Sequence, residues 1–229
     1  MTTKTPRQKR FIEFASLFVA VPLLLRILPD IARTFGHSLW IPIIPFLLVM
    51  TGSVLFYLIK TQKFRLLDLV SLAQTQRRDW LFMIARFLFL ATLLSVWSHA
   101  DRPEVWLRLP RESTELWTLV VILYPLISVI PQGVLFRAFY TIRYASLFPV
   151  AFQTLVGAAI FSFAHLPFGN AFALASTFIG GLMFLSSYKR TGSLLFSGIE
   201  HALYGDLLFT IGWGDYFFHA GTLQLLSSP

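Results

Sequence analysis

The sequence predicts an all-α, polytopic transmembrane bundle of about seven spans, one membrane domain over residues 1–229. Three observations predict it. Of the 229 residues, 56% are hydrophobic and only 13% charged, about half the charged share of a soluble domain. Mean hydropathy is +0.69. The apolar residues also fall in blocks of about 20, the number that crosses a bilayer core as a helix. Inside lipid every backbone N–H and C=O must pair within the chain, so blocks of that length are helices.

The first span is drawn at 11–29. It follows the basic residues Arg7, Lys9 and Arg10, the pattern of a signal peptide. No small-residue cleavage site follows, and Pro22 and Arg26 interrupt the apolar run, so it reads as a retained span. The others are drawn at 39–60, 80–99, 116–144, 149–166, 169–188 and 192–212. Residues 1–115 hold spans one to three, and residues 116–212 hold spans four to seven. Residues 213–229 form a tail in which Trp213, Tyr216, Phe217 and Phe218 suit the bilayer interface. The connections at 61–79 and 100–115 are longer than the rest.

Charge orients the bundle. Thirteen Lys and Arg fall on the side of the N-terminus. Lys4, Arg7, Lys9 and Arg10 precede the first span, and Lys60, Lys63, Arg65, Arg77 and Arg78 lie between the second and third. Arg137 and Arg143 end the fourth, and Lys189 and Arg190 end the sixth. The opposite side holds Arg33, Arg102, Arg108 and Arg111. Thirteen against four places the N-terminus in the cytoplasm. The net charge of +8 is thus an orientation signal and not a nucleic-acid footprint. Arg26 and Arg86 lie within spans, near enough to an end to snorkel. There are no cysteines, which excludes disulfides, thiolate metal sites and cysteine nucleophiles.

Ionisable groups inside spans are costly and point to function. Spans four to seven carry a set of them: Gln132 and Arg137, His165, then Glu200, His201 and Asp206. Depth decides whether they can meet. At 1.5 Å per residue, Gln132 lies about 18 Å, His165 about 24 Å and His201 about 14 Å from the N-terminal side. Tilt covers that spread, so three helices can bring these residues to one mid-membrane pocket. Span six differs. Ala173, Thr177 and Gly181 are spaced by four, as are Ser176 and Gly180, a small-residue pattern that lets helices approach closely.

These residues resemble the CAAX protease and bacteriocin-processing family of intramembrane proteases over residues 116–212. The family pattern Glu-Glu-x-x-x-Arg corresponds to Gln132-Gly133-Val134-Leu135-Phe136-Arg137. Phe-x-x-x-His corresponds to Phe161 to His165. The third motif, His followed four residues later by Asn, corresponds to His201 and Gly205. The resemblance implies an intramembrane endopeptidase that opens toward the cytoplasm and cleaves membrane-associated peptides, in a bacterial inner membrane. It implies that Gln132 and His165 hold the attacking water, that His201 faces the oxyanion and that Arg137 braces the site. Phe161, Tyr204 and Asp206 are candidates to contact the substrate.

Three positions depart from the pattern. Gln132 cannot take a proton as a carboxylate can. Gly133 removes the partner one turn before Arg137, and Gly205 lacks the amide of the Asn. His165 can act alone as base, Glu200 can supply a carboxylate, and Asp206 can stand in for the Asn if protonated. Simpler roles stay open beside these. The two histidines and Gln132 can bridge helices, Arg137 can snorkel, and Glu200 can partner a cation. His165, His201 and Glu200 have zinc-compatible chemistry but no local metal spacing, so no cofactor is expected. The alternative to an enzyme is an inactive relative that binds a membrane peptide or partner protein.

Overall fold

The computed structural model describes residues 6–39 and 41–217. Lys4 and Phe218, two residues of the charge and interface readings above, lie outside the described residues. Seven helices cross the molecule: α1 (Arg7–Thr34), α2 (Ile43–Gln62), α3 (Arg77–Asp101), α4 (Thr114–Leu147), α5 (Val150–Phe168), α6 (Ala171–Thr191) and α7 (Leu194–Thr210). The first six are each long and apolar enough to span a membrane. The seventh has 17 residues, a rise of about 25 Å, at the short end of spanning length. No strand occurs among the described residues. The chain is therefore an integral membrane protein of the expected class.

The first helix outruns its expected bounds. It continues through Pro29 to Thr34 because the charges near that end neutralise one another. Arg26 pairs with Asp30 one turn on, and Arg33 donates to Asp30 at 2.8 Å. Its start is fixed by Glu13, which pairs with Arg143 of α4. Phe14 and Phe18 then pack with Leu58 of α2 and with Val134, Ala138 and Tyr140 of α4 in one buried cluster.

The last four helices are joined by links of two residues. Gly169 and Gly192 have φ of +72° and +63°, the left-handed region where a Cβ is penalised. The next residue in each link caps the following helix. The Asn170 side chain accepts from the Ala173 N–H at 2.8 Å, and Ser193 Oγ accepts from the Phe196 N–H at 3.0 Å, satisfying N–H groups that have no helical partner. Tight links hold α5, α6 and α7 as antiparallel neighbours. A Cβ on Gly181 would come within 2.9 Å of Ala158 Cα, so the stripe of Ala173, Thr177 and Gly181 does serve close packing. Ser176, Thr177 and Gly180 line a cavity.

The fourth helix is irregular where the polar residues sit. Wide, π-helical turns at Pro125–Val129 and Val134–Tyr144 flank one α turn at Ile130–Gly133. Pro125 and Pro131 have no N–H to donate, which breaks the regular ladder. Wide turns of this kind gather at functional sites. The α3 helix is fastened to α7 at the far end by Ser98 Oγ, which donates to the Ile211 carbonyl at 2.7 Å. Trp213, expected at the interface, is buried between Trp97 and Phe172, each ring 5.0 Å away.

Candidate active site

A cavity of about 830 Å³ lies among α2, α3, α4, α5, α6 and α7. Gln132, His165 and His201 all line it, so the meeting of three helices expected from residue depth occurs. Tyr124, Ser128 and Tyr204 add polar groups, and the rest of the wall is almost entirely apolar. No Asp, Glu, Lys or Arg is on the wall among the described residues. Part of the wall comes from the first half of the chain: Ile41 to Pro45 at the start of α2, and Leu90, Leu94 and Trp97 of α3. The division at residues 115 and 116 therefore runs through the site.

His165 sits at the end of α5 with Nδ1 2.7 Å from the Phe161 carbonyl. A carbonyl only accepts, so Nδ1 carries the proton and Nε2 is left as the basic nitrogen. Gln132 donates from Nε2 to Ser128 Oγ at 2.7 Å. Its carbonyl oxygen is buried without a protein hydrogen-bond partner. Phe161 stands between the two histidines, 4.9 Å from the His165 ring and 5.5 Å from that of His201, edge-on to both. It is 4% exposed and lines the cavity.

His201 has a partner on each ring nitrogen. Arg137 Nη1 is 3.5 Å from Nδ1, and the Tyr124 hydroxyl is 3.2 Å from Nε2. Guanidinium has no acceptor, so Nδ1 offers its lone pair and the proton sits on Nε2, facing Tyr124. The phenol oxygen then accepts from His201, and its own O–H is free to donate. Phe184 stacks on the same imidazole at 4.5 Å.

Two positions that lack the family's side chains are filled from elsewhere. A Cβ on Gly133 would run into the Arg137 guanidinium. Arg137 therefore lies back over the space that a second glutamate would take, buried at 3% exposure and donating to the Val129 carbonyl at 3.3 Å. It does not snorkel. A Cβ on Gly205 would run into the Tyr124 ring and hydroxyl, so the phenol occupies the place of the absent amide. Gly205→Asn is expected to lower the thermal midpoint of the detergent-purified protein, and Tyr124→Ala in the same chain to recover most of the loss. An unchanged midpoint in Gly205→Asn alone would contradict this packing.

Glu200 and Arg86 form an ion pair between α7 and α3. The glutamate side chain is fully buried and off the cavity wall. Arg86 thus turns inward to a charge partner instead of snorkelling. Asp206 also lies off the wall, while Tyr204 is on it, packed edge-on to Phe87 at 5.3 Å. The donor set does not fit a metal ion. Among the described residues no three His, Cys, Asp or Glu side chains come together, and Glu200 is taken by Arg86.

The cavity occupies one half of the bundle. Its wall is built from the start of α2, the later part of α3, about the first half of α4, the end of α5, about the first two-thirds of α6 and the later part of α7. All of these lie away from the face that carries the start of α1.

Fold and site together define a polytopic helical membrane protein with an uncharged, histidine-bearing cavity inside its spanning region. Residues 114–205 match the family model described as type II CAAX prenyl endopeptidase Rce1-like. The match runs through α4, α5, α6 and most of α7, and it takes in Tyr124, Gln132, Arg137, His165 and His201. The resemblance seen in the motifs holds for this stretch. No curated protein and no solved structure matches the chain.

Proposed function

We propose that the protein is an intramembrane endopeptidase of the CAAX-protease type, acting on membrane-associated peptides. One observation carries the reading: Gln132, His165 and His201, far apart in sequence, line one cavity. His165 Nε2 takes a proton from a water that donates one hydrogen to Nε2 and the other to the Gln132 carbonyl oxygen. The oxygen of that water bonds to the peptide carbonyl carbon. The oxyanion forms beside the His201–Tyr124 pair, where the free phenol O–H donates to it. Collapse breaks the C–N bond, and the amine leaves with the proton held by His165. Arg137 holds His201 in the tautomer this requires.

A second reading is favoured by the absence of any carboxylate on the cavity wall among the described residues: a relative that binds a membrane peptide without cutting it. Both are tested by incubating the purified protein with membrane-tethered fluorogenic peptides, beside Gly133→Glu. The guanidinium that a residue at 133 would meet is the far end of a flexible side chain, so it can yield and pair with the new glutamate. The enzyme reading expects cleavage by the parent and at least about tenfold more by Gly133→Glu, a change of 1.4 kcal/mol in barrier. Silence in the parent with cleavage in the variant would leave binding as the role of the present chain.

A further inference from the structure

We propose that the cavity takes the apolar segment of a membrane-embedded peptide from the leaflet on the face opposite the start of α1, which charge asymmetry makes the outer leaflet. The substrate class rests on the peptidase reading; the side of entry does not. Four observations carry the inference. The cavity lies in the half of the bundle away from the N-terminal face. That N-terminal face carries the excess of Lys and Arg, including Lys60, Arg77 and Lys189, and cytoplasmic faces carry that excess. Several wall residues also face outward: Trp97, Leu119 and Ile179 are each more than half exposed. The wall is thus thin on the lipid side, and a ligand dissolved in the bilayer reaches it without crossing water. Last, the wall is uncharged among the described residues, and aromatic rings crowd its far end, where Phe217 lies 5.9 Å from Phe168 and 6.3 Å from Phe172.

The arrangement sorts ligands by polarity. A polar or charged peptide would have to leave water for an uncharged wall, a costly transfer without partners. An apolar segment already in the bilayer makes no such transfer, and its backbone carbonyl meets hydrogen-bond donors beside His201 and Tyr124. About 830 Å³ is within the size range of ligand pockets and accommodates a stretch of a few side chains.

The chain has no cysteine, so single cysteines report cleanly. The first arm treats intact cells with a membrane-impermeant maleimide. His37→Cys, in the exposed link at the cavity end, is expected to label at once, and Leu67→Cys, at the other end, only after permeabilisation. The reverse pattern overturns the outer-leaflet assignment. The second arm uses Ser176→Cys, on the cavity wall, in liposomes with an apolar maleimide. A hydrophobic spanning peptide at about ten times its dissociation constant should slow labelling about tenfold, and a polar peptide of equal length should not. Equal protection by both, protection by neither, or a thiol that never reacts overturns the proposed ligand. Neither arm needs turnover. Protection without cleavage would sink the peptidase reading and leave the side of entry and the apolar ligand standing.

Discussion

Replacing His165 with Ala should abolish peptide cleavage, with a loss of about 10²–10⁴-fold, the usual contribution of a positioned general base. The argument is one of elimination on the cavity wall. Among the described residues no carboxylate lies there, Gln132 has no titratable oxygen, and His201 directs its lone pair toward Arg137. Only His165 presents a basic nitrogen, because the Phe161 carbonyl holds the proton on the other one. Tyr124→Phe keeps the ring that packs against Gly205 and removes one hydroxyl. It should lower kcat about 10²-fold, the scale of one lost oxyanion donor, while KM stays the same, as for an interaction made only in the transition state. Rates measured on a tethered peptide across a range of concentrations separate the two constants. Residual activity near parental in His165→Ala would exclude this histidine as the base. A rise in KM with unchanged kcat in Tyr124→Phe would make the phenol a binding group only.

The largest effect on stability is expected at Arg86. Glu200 is fully buried, Arg86 is its counter-charge, and the second carboxylate oxygen has no protein partner. Removing one member of a buried pair leaves an uncompensated charge and costs about 3–5 kcal/mol. Arg86→Met should therefore lower the thermal midpoint of the purified protein sharply. Glu200→Gln in the same chain should restore most of it, because an amide needs no counter-charge. A double variant no more stable than Arg86→Met would show that the arginine acts through packing along α3 and not through its charge.

Sequence carried the gathering of Gln132, His165 and His201 because one quantity decides it, the rise per residue of a helix between fixed boundaries. It carried the packing role of Ala173, Thr177 and Gly181 for a similar reason: the spacing alone sets the stripe. At Gly133 and Gly205 it showed only missing side chains. A missing side chain leaves a volume, and what fills that volume comes from another turn or another helix. Arg137 could be paired with Gly133 by the i to i+4 rule, and its guanidinium lies over that glycine. Tyr124 is 77 residues from His201, and no local spacing links them. The one available signal was a phenol within an apolar span, whose hydroxyl seeks a partner. Arg86 was read as snorkelling because its charge partner lies far along the chain. The side of the cavity was illegible for a different reason: it depends on where helices diverge, and spacing does not encode that.

The pairing of Arg86 with Glu200 also has a history in time. The two residues are 114 apart in sequence, and at typical synthesis rates of about 5–20 residues per second the arginine precedes its partner by roughly 6–23 s. For that interval α3 resides in or near the bilayer with an unmatched cation. Arg86 lies nine residues from the start of α3, about 14 Å of rise, within reach of the headgroups for a long side chain. A position that looks like snorkelling in the sequence is thus suited to the nascent chain, and the ion pair marks the arrival of α7. Assembly of the cavity on this account waits for α7, timed by the emergence of a single carboxylate.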